Sequence, residues 1–191
     1  MRVPIATVTA SCMLMLAGCS GSGGTTGTTA GTGAGGGTLP PVTTADAAVP
    51  ARIDGFEVQK VPADQVPQPP TIAGEPAQEA ALAIALGSSQ DAYRIVAFRT
   101  AQDPGSIPEA DRLAVVGEEG ASVDAGSGHD VTLAGIPVRC YATDDFGDTS
   151  QPDSVCIYVD GPNLVFVVTQ DQGPGGGEEF TRRVITARQS G

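Results

Sequence analysis

Residues 155–169 read VCIYVDGPNLVFVVT and predict two antiparallel strands joined by a tight turn. Val155–Val159 and Leu164–Thr169 are rich in the β-branched and aromatic residues that favour strands. Between them lies Asp160-Gly161-Pro162-Asn163, which is typical of a turn. Because Leu164 to Val168 is apolar at every position, the second strand is predicted to lie at the centre of a sheet.

Outward from this hairpin, turn residues separate further strands. Val131–Ala134 and Pro137–Tyr141 are predicted to pair about a turn near Gly135. Tyr93–Phe98 has the composition of another strand, and Ile53–Val58 predicts a short first strand. With the hairpin, these runs predict an antiparallel sheet of about five to six strands.

Two helices are predicted ahead of the hairpins. Pro76 and Gly87 flank the apolar run Ala80–Leu86, as expected for a helix with Pro at its start and Gly at its end. Ser106-Ile107-Pro108-Glu109 is a capping box that begins a second helix, which ends near Gly117. The residues expected to share its apolar face are Ala110, Leu113, Ala114 and Val116.

A last helix is predicted to begin around Glu178. The pairs Glu178–Arg182 and Glu179–Arg183 are each four residues apart with the acid first, which favours ion pairing within a helix. The residues expected to face the sheet are Phe180, Val184 and Ala187. The expected fold class is α+β, an antiparallel sheet with two to three helices packed mainly on one side.

The composition excludes some classes of function. The 191 residues include 22 acidic and 10 basic side chains, a formal charge of −12 at pH 7. A nucleic-acid-binding protein needs a basic surface to displace phosphate counterions, so no nucleic-acid partner is expected. One His and four Cys are too few for a metal centre built from several of these ligands, and no cofactor is expected.

The amino terminus predicts export and lipidation. Arg2 precedes the mostly apolar run Val3–Leu16, which is shorter than the ~20 residues of a transmembrane helix and is typical of a signal peptide. Leu16-Ala17-Gly18-Cys19 follows and resembles the lipobox of bacterial lipoprotein precursors. The resemblance implies that residues 1–18, with Cys12, are removed and that Cys19 is acylated. The alternative is an ordinary secretory signal with an incidental Cys.

Lipidation would place the protein on the outer face of the cytoplasmic membrane. An acidic chain is repelled by anionic head groups, so attachment is expected from acyl chains rather than from charge. Residues 20–50 are mostly Gly, Thr, Ala and Pro with the single charge of Asp46, so 19–50 are predicted to form an acylated, disordered tether. Residues 51–191 hold all the Tyr and Phe residues and are predicted to be one domain.

Two segments of this domain carry a family resemblance. They are Leu133-Ala134-Gly135-x-x-Val138-x-Cys140 and Val155-Cys156-Ile157-Tyr158-Val159-Asp160, preceded by an Asp54-Gly55-Phe56 start. The pattern resembles a recurring extracytoplasmic domain of uncharacterised actinobacterial lipoproteins and membrane-anchored proteins. This chain departs from it at Tyr158, where the family has Trp, and at Ala134, where it has Gly. The resemblance implies a compartment and a fold but no activity.

Cys140 and Cys156 would be the two cysteines left after signal removal and acylation. Outside the cytoplasm such an even pair predicts a disulfide, here between two strands. The alternative is a redox-active pair, which usually has its cysteines two residues apart at the start of a helix. Neither condition holds for these two, so a structural disulfide is predicted.

Acidic residues supply two further candidate sites. Asp144, Asp145, Asp148 and Asp153 could coordinate Ca²⁺ through oxygen, but their spacing does not match an EF-hand, and a solvated loop with no metal is expected. A carboxylate pair for glycoside hydrolysis could come from Glu118, Glu119 and Asp124. His129 receives no role. With no nucleophile elbow or zinc-protease motif, no catalytic residue and no enzyme activity are expected.

Three hypotheses follow from these observations. The first is a lipid-anchored, non-enzymatic module that binds another envelope protein, and it predicts an exposed apolar patch on the domain. The second is a carrier or sensor for a lipid or cell-wall fragment, which requires an apolar cavity of at least ~300 Å³. The third is a hydrolase that uses the carboxylate pair.

Overall fold

A curved antiparallel sheet organises the protein in the computed structural model, which describes residues 37–88, 92–118, 122–144, 153–170 and 172–191. The ten strands are β1 (Glu57–Lys60), β2 (Thr71–Ile72), β3 (Glu75–Pro76), β4 (Glu79–Leu86), β5 (Ala92–Arg99), β6 (Ser122–Val123), β7 (His129–Leu133), β8 (Ile136–Asp144), β9 (Asp153–Asp160) and β10 (Asn163–Thr169). The helices are α1 (Ala45–Ala48), α2 (Glu109–Glu118) and α3 (Gly173–Ser190).

Eight of these strands form one sheet in the order β1-β4-β5-β10-β9-β8-β6, with β7 paired to β8, and β2 pairs with β3 separately. Every pairing between described strands is antiparallel. The α+β class is confirmed, but the sheet has more strands than the five to six predicted. Two of the extra strands escaped prediction for simple reasons. β6 is only two residues long, and β4 has the composition of a helix.

The hairpin that opened the sequence analysis forms as predicted. β10 lies between β5 and β9, and all seven of its residues are buried. The β7–β8 hairpin also forms, about a two-residue turn at Ala134 and Gly135. Both turn residues have positive φ, 48° and 84°, as a right-twisted hairpin with a two-residue loop requires.

The helix predicted over Ala80–Leu86 is wrong, because these residues belong to strand β4. Ala81, Ala83 and Ala85 point to one face of the sheet and are buried, whereas the residues between them point to the other face. Since both faces are apolar, the alternation of a strand is invisible in the sequence, and Ala and Leu favour a helix. Pairing with β1 on one side and β5 on the other decides the outcome.

Two of the three described helices, α1 and α3, share one face of the sheet and α2 lies on the other, so α2 is the exception to the expected packing mainly on one side. α3 covers the face that carries Val165 and Val167, together with α1. α2 packs on the opposite face, where its Val115 and Val116 meet Phe166. The central strands are therefore buried from both sides, which explains the unbroken apolar run in β10.

Helix α3 begins at Gly173, five residues before the predicted start at Glu178. Its first turns are rich in Gly, and one of these residues, Gly177, lies where the helix approaches the sheet closely. A Cβ on Gly177 would lie 1.9 Å from the Ser154 hydroxyl oxygen of β9. Phe180 and Val184 face the sheet as predicted, and both are buried.

Two details of the second predicted helix, which forms as α2, also change. The Ser106 hydroxyl donates to the Asp103 carbonyl at 2.7 Å rather than capping α2, and the helix begins after Pro108. Its buried face contains Val115 and Val116, whereas Ala114, which was predicted to share that face, is exposed.

The folded region begins before residue 51, where the composition had placed the domain boundary. Residues 37–50, here called the strap, include α1 and bury Ala45, Ala48 and Val49 in the core beneath α3. The Arg188 guanidinium donates to the Pro40 carbonyl at 3.0 Å and joins the strap to α3. The strap is poor in charge and aromatic groups, so its composition resembles a tether, but its small side chains fill the core. No helix in the described ranges is long and apolar enough to cross a membrane.

Candidate functional site

The disulfide between Cys140 and Cys156 is present. The two residues lie directly opposite each other on β8 and β9, with Cα atoms 4.1 Å apart and both sulfurs buried in the core beneath α3. The predicted pairing is confirmed. Because the bond joins neighbouring strands and is closed off from solvent, it belongs to the framework of the sheet.

The calcium candidates fall largely outside the described residues. Asp145 and Asp148 are not described, and Asp144 is the last residue of β8. Asp153 begins β9, where its side chain is 3% exposed and lies across the ladder from Thr143. Among the described residues, no group of three or more His, Cys, Asp or Glu could hold a metal ion.

The carboxylates proposed for hydrolysis are not brought together by the described part of the chain. Glu119 lies outside it, and Glu118 ends α2. The Asp124 carboxylate accepts from the backbone N–H of Gly126 at 2.9 Å and so caps the short helical turn at residues 125–127. Asp124 thus has a local structural role, and the hydrolase hypothesis stays a prediction.

His129, which had no predicted role, pairs with α3. Its Nε2 lies 2.8 Å from the Glu178 carboxylate, and Nδ1 lies 3.4 Å from the Ser127 carbonyl. The hydrogen bond to Glu178 raises the pKa of His129 above its usual value of 6.5. The predicted pair of Glu178 with Arg182 is therefore wrong, because Glu178 turns to β7.

The neighbouring residue Glu179 forms ion pairs with both Arg182 and Arg183. It pairs with Arg182 one helical turn away and with Arg183 four residues on, the latter at 3.1 Å. The predicted Glu179–Arg183 pair is confirmed. Sequence spacing found this local contact, but the contact of His129 with Glu178 spans 49 residues and depends on how α3 packs.

A row of half-exposed apolar side chains crosses β4 and β5 on the face that α2 only partly covers. We call Leu82, Ile84 and Leu86 of β4 with Val96 of β5 the apolar strip. Leu82 lies directly across the ladder from Val96. The three β4 residues belong to neither of the two hydrophobic cores. Their side chains are therefore not required to fill the interior of the protein.

A small cavity lies beside the strip, between α2 and the sheet. Its volume is about 30 Å³, and Val96, Phe98, Val115 and Phe166 contribute to its walls. That volume is the share of about one water molecule. The apolar surface here is therefore shallow and does not form a pocket that could enclose a lipid.

A large groove runs between the strap and α3. This strap groove has a volume of about 900 Å³. Strap residues such as Pro41 and Val49 and the helix residue Ala187 give it apolar walls. Its basic residues come from three places in the chain and are Arg52, Lys60, Arg182, Arg183 and Arg188.

One of the groove residues, Arg188, takes part in a buried ion pair. Arg188 Nε donates to the Asp160 carboxylate at 2.8 Å, and both side chains are buried. Burial raises the pKa of Asp160, and the Arg188 guanidinium opposes that rise. Tyr158, which lies two residues before Asp160 in β9, has its pKa raised chiefly by burial.

Comparison of the chain with protein-family models, curated protein sequences and solved structures found no match in any of the three.

Proposed function

We propose that this protein is a lipid-anchored, non-enzymatic module on the outer face of the cytoplasmic membrane that binds another envelope protein. The anchor is the acylated Cys19 of the lipobox, and the binding surface is the apolar strip. The partner's contact surface is an apolar segment that covers β4 and β5 beside α2.

The apolar strip is the observation that carries this proposal. Its side chains are large and aliphatic, and those on β4 contribute to neither core. Such a contiguous row on a sheet face is costly to leave in water and is typical of a contact surface for another protein. Val96 also lines the small cavity beside α2, so the strip reaches the edge of that helix.

At the strip, the small size of that cavity favours a protein partner over an enclosed ligand. A carrier for a lipid would use an apolar cavity of at least ~300 Å³ that encloses most of the ligand. A shallow apolar strip beside a cavity of about 30 Å³ is instead suited to contact with apolar side chains on the surface of a partner protein.

Site-specific photo-cross-linking in the native host tests the proposal. A photoreactive residue at Ile84 or Val96 should cross-link one and the same protein, whereas one at the exposed Gln65 should not. The purified partner should then bind the purified chain. Cross-links of equal yield from all three positions would contradict a partner surface at the strip.

A matched pair of variants completes the experiment. Leu82→Ser with Ile84→Ser should abolish binding of the purified partner, because it removes apolar area that the complex buries. Val131→Ser, a half-buried strand position outside the strip, should reduce stability without affecting binding. Unchanged binding in the first variant would overturn the assignment of the strip.

A further inference from the structure

The strap groove differs in charge from the rest of the chain. The protein has a formal charge of −12, yet five of its ten basic side chains line this one groove. Among the described residues, two acidic side chains, Asp54 and Glu179, line it with them. The groove therefore presents positive charge on a molecule that is elsewhere strongly acidic.

Not all of this charge is free to bind a ligand. Asp160 neutralises Arg188 inside the fold, and Asp46 pairs with Lys60 at 3.1 Å. Arg182 and Arg183 are different, because they share the single carboxylate of Glu179.

Arg52 adds a further exposed guanidinium to the same groove. Three arginines, Arg52, Arg182 and Arg183, thus face the carboxylates of Asp54 and Glu179. Arg183 also donates to the Asp54 carbonyl, at 3.4 Å, so this part of the groove is held together by the arginine that lies between its two walls.

We propose that the strap groove binds the phosphate of an anionic phospholipid and so turns the α3 face of the domain toward the membrane. Guanidinium groups suit this ligand because their N–H donors match phosphate oxygens in a bidentate geometry. The apolar walls formed by Pro41, Val42 and Ala187 suit the glycerol and the upper acyl chain of the same lipid.

The course of the chain favours a membrane over an acidic protein as the occupant. Residues of the strap form one wall of the groove, and the strap is continuous with the segment that leads to Cys19. Residues 20–36 span at most about 60 Å even if fully extended, so an acylated Cys19 keeps the groove near head groups. The choice of a membrane as the occupant rests on the proposed lipid anchor, whereas the presence of the basic groove is independent of it.

The proposal also gives the two surfaces of the molecule separate roles. α3 and the strap cover one face of the sheet, and the apolar strip lies on the opposite face of β4. With the groove on the membrane, the strip points away from the bilayer and is accessible to a partner protein.

Vesicle co-sedimentation of residues 19–191 carrying Cys19→Ser tests the proposal without the lipid anchor and without the apolar run Val3–Leu16. The probes are vesicles of phosphatidylcholine alone and vesicles of equal parts phosphatidylcholine and phosphatidylglycerol. The chain should bind the anionic vesicles more tightly despite its net negative charge. Arg52→Gln and Arg182→Gln should each weaken that preference by about fivefold, as expected for one basic residue at an anionic surface.

Arg112→Gln is the matched control, because it removes the same charge from α2 on the other face of the sheet. It should leave the preference for anionic vesicles unchanged. Arg52→Gln alone keeps the test valid if the Arg182 variant is unstable, since Arg52 is exposed and forms no hydrogen bond or ion pair with another described residue.

Three results would overturn the proposal. The first is equal binding to both kinds of vesicle, and the second is an equal loss of the preference in the Arg112 control. The third is complete release of the chain from anionic vesicles by soluble polyglutamate, which would indicate an acidic protein as the occupant. Intact mass of the unsubstituted protein reports acylation of Cys19 separately. Failure of the anchor and failure of the groove are thus distinguishable.

Discussion

Arg188 of α3 and Asp160 at the end of β9 form a buried ion pair, with Nε and Oδ2 2.8 Å apart. A second nitrogen of Arg188 donates to the Pro40 carbonyl. One side chain therefore holds together the last helix, the β9–β10 turn and the strap. The strap and α3 also form the walls of the groove that we assign to phospholipid.

Removal of Arg188 should strongly destabilise the protein. Arg188→Met leaves the Asp160 carboxylate buried without its partner, which costs about 3–5 kcal/mol of unfolding free energy. Urea denaturation measures the loss. The double variant Arg188→Met with Asp160→Asn should recover part of it, and a double variant no more stable than the single one would contradict this explanation.

Two tyrosines should respond in opposite ways to loss of the hydroxyl. Tyr158 Oη is buried and has no hydrogen-bond partner among the described residues, so Tyr158→Phe should leave stability unchanged or raise it by up to about 1 kcal/mol. Tyr141 Oη donates to Glu109 at 2.8 Å, and Tyr141→Phe should cost about 0.5–1.5 kcal/mol. Thermal unfolding compares the two variants, and a larger loss for Tyr158→Phe would contradict the prediction.

A side chain at Gly177 should disturb the contact between α3 and the sheet. Gly177→Ala places a Cβ against the Ser154 hydroxyl and should cost about 1–3 kcal/mol through overpacking. Ser154→Ala in the same chain removes that oxygen and should restore part of the stability. Gly175→Ala is a suitable control, because nothing lies within 4 Å of its added Cβ.

The His129–Glu178 pair should make stability depend weakly on pH. Because the pKa of His129 is raised in the folded protein, the charged pair stabilises the fold below pH 6.5, and this contribution is lost as the pH rises through the higher folded pKa. The pair is partly exposed, so the effect should stay below about 1 kcal/mol.

NMR titration of the single histidine measures this pKa directly. It should exceed 6.5 in the unsubstituted protein and fall in Glu178→Gln, which removes the charged partner. An unchanged pKa in that variant would show that the contact with α3 is not formed in solution.

Reduction of the disulfide should lower stability without disordering the sheet. The sixteen-residue separation of Cys140 and Cys156 corresponds to about 3 kcal/mol in the chain-entropy estimate. Urea denaturation of Cys140→Ala with Cys156→Ala measures the loss. No change in the unfolding midpoint would contradict a framework role for this bond.

The parts of the fold that the sequence revealed are those set by local chemistry. Turn residues and β-branched runs located both hairpins, and acid–base spacing located the Glu179–Arg183 pair. The sequence of β4 predicts a helix because both faces of this strand are apolar, so the two-residue alternation typical of a strand is absent. The predicted start of α3 lies too far along the chain. The sequence does not show that Gly177 is needed where this helix closely approaches the sheet.

The candidate sites were harder to predict because their residues are distant in the sequence. The strap groove unites Arg52 with Arg182 and Arg183, and His129 meets Glu178 only after α3 packs on β7. The apolar strip was hidden for a different reason. Leu82 and Ile84 are consecutive on one face of β4, and as members of a helix they would have been assigned to the core.

Native mass spectrometry of the protein extracted from its own membrane tests the proposed function most directly. We expect a chain that begins at acylated Cys19, is two hydrogens lighter through its disulfide, and carries a second polypeptide. The second polypeptide should be absent from the variant with Leu82→Ser and Ile84→Ser. An unacylated chain, or a polypeptide retained equally by that variant, would contradict a lipid-anchored module that binds through the apolar strip.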